Sequence, residues 1–482
     1  MSSSLSEKEV LLSDQLNLQT VSKEVDTFEM CRRKVNTQTL LLVGLLASMA
    51  LFIYLLSTGG IYYYDADFNL HIGMHLDAML DREGSRGQIR ATKKLVLDEK
   101  AYDKYKALNG SMYRYSTPRD YSCFFKDKLQ SPNMPDVHSA FADPIAGHVI
   151  FVGLKFLKQK WHREVFACEF PDGDSTRSSP VVDDKRSFGV MPQYVVVITC
   201  PLPDRYRWRA YFNMTLRSLS SDAAYSNITI CTSGVSPDTQ YQLAICTMVK
   251  SADSFIPDWL DFHRYVGVEH VFIYDNEKED ETKLPATVKE YVDEGFVTII
   301  PWAHSVSHYK TYLEVQIAHE NDCIWRHKHD VDWMIKIDVD EYIQPMDARR
   351  PRITDYLQDA ALQNLAALRI QNWFFGHPQH ITPRGDSAIA RNLWRSEKPT
   401  LQNTGHDKNI LRPINVHYFK IHNVKLGGDI ISADPYRELR MVHYRVDNPR
   451  ALRFELPDFN VRDKSMLRLR DLVKASKGHR KN

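Results

Sequence analysis

The chain has almost no net charge. Against 62 Lys and Arg stand 61 Asp and Glu, leaving +1. That balance excludes a general nucleic-acid binder, whose affinity comes from a basic surface. Cys-x-x-Cys spacing is also missing, which argues against a zinc knuckle or a thioredoxin-like site. Long apolar runs are missing too, with one exception. Residues 40–56 read LLLVGLLASMALFIYLL without a charge, and no other stretch approaches eighteen apolar residues.

That run, extended to 39–61, is long enough to cross a bilayer core of about 30 Å. Arg32, Arg33 and Lys34 precede it; Tyr62, Tyr63 and Tyr64 follow it. Basic flanks stay cytosolic and aromatic residues favour the interface. Almost forty residues precede the run, too many for the n-region of a cleaved signal peptide. The expectation is a single-pass signal anchor with residues 1–38 cytosolic and the rest outside the cytosol. Two features agree. Sequons begin at Asn109, Asn213 and Asn227, all beyond the run and all candidate glycosylation sites. Six of the seven cysteines also lie beyond it, an even number that permits three disulfides in fifteen pairings.

Residues 62–114 are polar and read as a stem. Residues 115–238 are β-rich: the runs 148–153, 164–169, 194–200 and 228–231 are β-branched or aromatic and separated by Pro and Gly turns. They predict a small sandwich-like accessory domain. Trp161, Tyr206 and Trp208 are its candidate sugar-stacking aromatics, with core packing the commoner role. From 239 to 450 the pattern becomes strand, helix, strand, helix, strand, helix, strand. Apolar runs at 243–249, 268–274, 296–300 and 333–337 alternate with helical segments, the first opened by Pro257 and closed by Gly267. Such alternation predicts an α/β fold with a parallel sheet, whose ligands bind at the carboxyl ends of the strands. Residues 451–482 form a basic C-terminal tail, expected to be solvated and partly disordered.

The fourth strand runs directly into Asp338-Val339-Asp340-Glu341. Three carboxylates in four residues repel one another unless a cation or donor groups neutralise them. Asp oxygens are hard ligands suited to Mg²⁺ or Mn²⁺, and such an ion can neutralise a departing diphosphate. An acidic turn that merely ends a strand is the plain alternative. A nucleophilic phosphatase motif of the same Asp-x-Asp form carries Thr or Val where Tyr342 stands here.

Four separated motifs resemble glycosyltransferase family 92: Asp258-Trp-Leu-Asp-Phe-His263, the strand into Tyr274-Asp275-Asn276, Lys336-Ile-Asp-Val-Asp-Glu341, and Val442-His443-Tyr444-Arg445. The resemblance spans about 240–447. It implies a GT-A fold (a Rossmann-like mixed sheet), a UDP-sugar donor (UDP-galactose in known members), an inverting transfer to a glycan or polysaccharide acceptor, Mn²⁺ (or Mg²⁺) as cofactor, and a type II Golgi membrane protein. By position, Asp338, Asp340 and His443 become the metal residues. Asp275, Asn276, Asp338, Lys408 and Arg445 become the nucleotide-sugar residues. Inversion also needs a base for the acceptor hydroxyl. Asp434 is the choice, with Glu341, Glu438 and Asp407 as alternatives. Trp373, Phe374 and Phe375 are a candidate acceptor platform, with core packing weighed equally. A non-catalytic lumenal glycan-binding protein on the same scaffold is the competing function, and oligomerisation is left open.

Overall fold

The computed structural model describes residues 133–156, 165–182, 193–207, 209–232, 240–251, 254, 256–304, 312–357, 365–378, 387–401, 405–444 and 458–480. The expected anchor and stem, Asn109, Trp161, Trp208 and Arg445 lie outside the described residues. Among those described, no helix is long and apolar enough to cross a membrane. All belong to one compact unit, Val96–Asn482.

The first eight strands are β1 (Asp136–Asp143), β2 (His148–Phe156), β3 (Phe166–Glu169), β4 (Ser175–Arg177), β5 (Ser179–Val182), β6 (Gln193–Pro201), β7 (Tyr211–Ser218) and β8 (Ala224–Thr232). They form one sheet in the order β4-β3-β7-β8-β1-β2-β6-β5, antiparallel except where β1 meets β8. Where the sequence suggests a sandwich, the chain makes one continuous sheet. Its two halves enclose a core that includes Val137, Phe151 and Ile198 from one half and Phe166, Phe212 and Ile230 from the other. Tyr206 belongs to that core, so it is a packing residue and not an exposed stacking ring. Asn213 and Asn227 are exposed on adjacent strands.

A second sheet follows. β9 (Tyr241–Val249), α1 (Ile256–Tyr265), β10 (His270–Asp275), two short helices α2 (Leu284–Thr287) and α3 (Lys289–Asp293), β11 (Val297–Pro301), α4 (Tyr312–Arg326) and β12 (Val331–Lys336) give the expected alternation. The chain continues through β13 (Glu341–Pro345), α5 (Thr354–Leu357), β14 (Ala367–Ile370), β15 (Asn372–Gly376), α6 (Ala388–Arg391), β16 (Trp394–Arg395), β17 (Lys408–Leu411), β18 (Val416–Lys420), β19 (Asn423–Gly427), β20 (Ile430–Ser432), β21 (Leu439–His443), β22 (Val461–Arg462) and α7 (Ser465–Arg480). The central sheet has the order β11-β10-β9-β12-β17-β14-β20. Its first four strands are parallel, and β17 returns antiparallel to β12. The fold is therefore mixed α/β.

Alternation along the strands assigns the two faces. Leu243 and Ile245 of β9 pack toward α1, and Ala244 and Cys246 pack toward α4. The α4 face shares its core with the first sheet, whose Ile150, Val152, Val195 and Val197 meet Phe272, Ile317 and Met334. Buried Asp322 on α4 ties these layers together: it accepts from Ser139 of β1, from Tyr274 Oη at 2.6 Å, and pairs with Arg326 at 3.1 Å. Tyr418 Oη likewise donates to Val195 O at 3.0 Å. Disulfides link Cys168 to Cys200 and Cys246 to Cys323, and Cys231 is also disulfide-bonded.

The basic C-terminal stretch is not a solvated end. Residues 465–480 form α7, which buries Met466 and Val473 and joins Lys477 to Asp261 on α1 at 2.7 Å. High charge hides a narrow apolar stripe in which Met466 and Val473 stand seven residues apart. Met466→Ala is expected to lower stability by about 2–5 kcal/mol, read as a drop in denaturant midpoint.

Acid should also loosen the fold. Burial pushes His263 and His422 down to about 3. An unfolded imidazole protonates near 6.5 while these two stay neutral in the fold. Stability is thus complete above pH 6.5 and is lost as pH falls from there toward 3. The loss is about 1.4 kcal/mol per pH unit per group. Melting followed over that window in wild type and His263→Phe should show the shallower slope in the variant.

Candidate active site

In the central sheet, β9, β10 and β11 step to one side while β12 lies on the other side of β9. This is a switch point, and ligands of open α/β sheets bind at such points beyond the carboxyl ends of the strands. Asp338 stands two residues past the end of β12.

The acidic segment is a tight turn. Glu341 N–H donates to Asp338 O at 3.1 Å, and Asp338 N–H donates to Glu341 Oε2 at 2.8 Å. Asp338 keeps about half of its side chain exposed, whereas Asp340 and Glu341 are buried. The chain then enters β13, which pairs antiparallel with β21 so that Glu341 lies opposite His443. Tyr444 N–H closes the end of the ladder on Asp340 O at 2.9 Å. Two motifs about a hundred residues apart are thereby brought together by strand register. His443 Nε2 is 3.6 Å from Asp340 Oδ2, and His443 Nδ1 is 3.5 Å from Glu341 Oε1.

Lys408 begins β17, beside β12, and its Nζ lies between two carboxylates: 2.7 Å from Asp338 Oδ2 and 3.0 Å from Glu341 Oε2. Burial alone would push its pKa down, but Asp338 and Glu341 outweigh it and hold the ammonium charged. Burial likewise opposes the charged form of His443, and the neighbouring Asp340 and Glu341 reverse that, raising its pKa. Burial raises Glu341 against the pull of Lys408. A further buried layer lies below. Lys336 Nζ meets His319 Nε2 at 3.2 Å, with burial lowering Lys336 to about 8 and raising Glu320 to about 7.

Other sequence-derived residues serve the frame. Asp275 accepts from Glu277 N–H at 3.2 Å and from the Thr282 hydroxyl at 2.7 Å. Asn276 Nδ2 donates to Trp302 O at 2.7 Å and His304 O at 3.1 Å, joining the loops after β10 and β11. The Asp407 carboxylate is 4.0 Å from Arg369 Nε, and its backbone oxygen accepts from His422 Nδ1 at 2.6 Å. Asp434 and Glu438 form a turn before β21, where Asp434 N–H donates to Glu438 Oε2 at 2.7 Å and Asp434 Oδ1 accepts from Tyr436 N–H at 2.8 Å. Glu438 precedes His443 by five residues of extended chain, roughly 17 Å at the usual rise. The structure does not bring this pair to the acidic turn.

Trp373, Phe374 and Phe375 are all buried, so they pack rather than form an open platform. Phe374 alone touches the site, with ring centroids 5.3 Å from both His443 and His406. Two further supports emerge only in the fold. Trp259 Nε1 donates to Glu341 O at 2.8 Å, and His263, one turn later on α1, stacks at 5.6 Å on Tyr342. Their i, i+4 spacing within Asp258-Trp-Leu-Asp-Phe-His263 is the sequence signal that points to them.

The donor set suits a divalent cation. Asp340 Oδ2 and His443 Nε2 lie closer than the roughly 4.2 Å allowed to two ligands each about 2.1 Å from one ion. Among the described residues no group of three or more His, Cys, Asp or Glu is placed to hold a metal ion, so the pair alone would have to serve. Two protein ligands with open positions are what an ion shared with substrate phosphates requires.

Comparison with known proteins converges on the same segment. Residues 241–470 match the model of glycosyltransferase family 92. A glycosyltransferase family 92 protein of Ricinus communis is 32% identical over 63 residues, 13% of this chain and 11% of that protein. A beta-1,4-galactosyltransferase of Caenorhabditis elegans is 23% identical over 194 residues, 39% of each. A family 92 protein of Arabidopsis thaliana is 39% identical over 41 residues, 8% of this chain and 7% of that protein. The chain thus aligns with well under half the length of these relatives.

Proposed function

From the premise that the chain belongs to glycosyltransferase family 92 through residues 241–470, we propose that it is an inverting, metal-dependent transferase that moves galactose from UDP-galactose to a glycan acceptor. The observation that carries this reading is the Asp340–His443 pair, held 3.6 Å apart by strand register. Asp340 lies on the acidic turn and His443 at the end of the strand paired beside it, next to a sheet switch point, where nucleotides bind in open α/β folds. On this reading the central sheet is a GT-A scaffold. The C. elegans relative's name supports galactose as the sugar and a β-linkage.

Asp340 and His443 would hold Mn²⁺ or Mg²⁺, with Asp338 reaching it through its free oxygen or through water. The ion would supply positive charge for the departing diphosphate. Lys408 keeps the turn from repelling itself by neutralising Asp338 and Glu341. Glu341, only 1% exposed, is too enclosed to meet an acceptor hydroxyl. The disulfides and the apolar run at 40–56 support a type II membrane protein facing the Golgi lumen.

The test is turnover by the full-length chain purified in detergent, with Mn²⁺, a panel of UDP-sugars, and galactan and fucosylated glycan acceptors. Galactose transfer with product inversion is expected. Folded protein that turns over no UDP-sugar but binds glycan would favour the non-catalytic reading instead.

A further inference from the structure

Glu341 has two oxygens in different company. Oε2 accepts from Asp338 N–H at 2.8 Å and from Lys408 Nζ at 3.0 Å. Oε1 stands 3.5 Å from His443 Nδ1. That nitrogen is buried and, among the described residues, has no hydrogen-bond partner. A buried ring nitrogen left unpaired costs about 1–3 kcal/mol, and a shift of under an ångström would close it onto Oε1. The rest of Glu341 is already fixed: its backbone oxygen is held by Trp259, and the side chain is enclosed.

We propose that Glu341 is the positioning residue for His443. Its Oε1 accepts a hydrogen bond from Nδ1–H, so that Nε2, bare of a proton, faces Asp340. The proposal rests on the metal reading above only for what Nε2 is presented to. A metal-binding imidazole is oriented through its far nitrogen, and a carboxylate there fixes both ring angle and tautomer. Lys408 makes the arrangement directional. By fixing Oε2 together with the Asp338 amide, it leaves Oε1 one orientation, toward His443. The same chain of contacts, Lys408 to Glu341 to His443 to Asp340, explains a Lys buried among site carboxylates without giving it to substrate.

Glu341→Gln has a sharp consequence. Two donors, the Asp338 amide and the Lys408 ammonium, face the Oε2 position. The Gln carbonyl must turn there, which places its NH₂ against His443 Nδ1. Nδ1 then accepts, and the ring proton moves to Nε2, the nitrogen the cation would need.

The experiment uses the full-length chain with ¹⁵N-labelled histidine, at a pH alkaline enough to keep the ring neutral and without metal. The ¹⁵N shifts of His443, assigned by His443→Gln, should report the Nδ1–H tautomer in wild type and Nε2–H in Glu341→Gln. In parallel, Mn²⁺ binding in the presence of UDP, measured by loss of the free-ion EPR signal, should weaken about 10- to 100-fold in Glu341→Gln. An Nε2–H tautomer in wild type overturns the proposal, as do an unchanged tautomer and unchanged Mn²⁺ affinity in the variant. Should Glu341→Gln fail to fold, the wild-type tautomer still decides. If wild type binds no Mn²⁺, the metal reading fails, and the tautomer alone then decides whether Glu341 positions His443.

Discussion

Asp340→Ala should abolish metal-dependent transfer while leaving the melting transition almost where it was. The side chain lies 3.6 Å from His443 and shares a four-residue turn with Asp338 and Glu341. Without it, only His443 and the half-exposed Asp338 would remain to hold a cation, and Asp338 already gives one oxygen to Lys408 at 2.7 Å. A bound divalent ion supplies several kcal/mol to the stabilisation of a leaving diphosphate. Loss of about 4 kcal/mol is a rate decrease of about 10³-fold. Stability behaves differently. Removing one of three crowded carboxylates relieves repulsion, which offsets the loss of the His443 contact. The expected change is within about 1 kcal/mol of wild type, the usual range for a site residue that does not fill the core. Single-turnover assays with Mn²⁺, paired with a denaturant titration, separate the two effects. A collapsed transition would make Asp340 a structural residue and remove the basis for the metal reading.

Much of the catalytic segment is legible before folding because its inner strands β9, β10 and β12 are almost wholly buried and its helices carry period-3.6 stripes. β9, β10, β11 and β12 each lie within a few residues of the apolar runs that announce them. Asp338 is legible for the same reason: it follows a clean strand. His443 is legible only through motif order, since nothing local shows that β21 will pair with β13. That pairing is a tertiary fact, and it turns two distant motifs into one site. Lys408 reads from its motif as a substrate residue, yet its buried ammonium neutralises the turn; sequence gives a lysine's charge but not its depth. Asp434 looks suitable by its nearness to His443 in sequence, whereas an extended strand converts that nearness into distance. The continuous first sheet, and its shared core with α4, depend on which strand faces meet, and alternation alone cannot name the partner layer.

The support beneath the site yields the second large effect. Trp259 is fully buried on α1 and packs within the core that also holds Ile335, Ile343 and Tyr342. Trp259→Ala removes most of that contact area and should destabilise the fold by about 3–5 kcal/mol. It also removes the indole N–H that meets Glu341 O at 2.8 Å, leaving a buried carbonyl short of a donor. Trp259→Phe separates the two contributions. Phe retains much of the packing and loses the hydrogen bond, at a cost of about 1–3 kcal/mol. Because the lost donor holds the backbone of Glu341, Trp259→Phe should also weaken Mn²⁺ binding, whereas a packing defect of equal size elsewhere in the core should not. Ile245→Val, on β9 in the same core, is the comparison. Denaturant midpoints match the variants for stability, and Mn²⁺ titration with UDP then reads the site. If Trp259→Phe and Ile245→Val bind Mn²⁺ equally well, Trp259 is a core residue only, and the turn at Asp338 is held by its own hydrogen bonds and Lys408 alone.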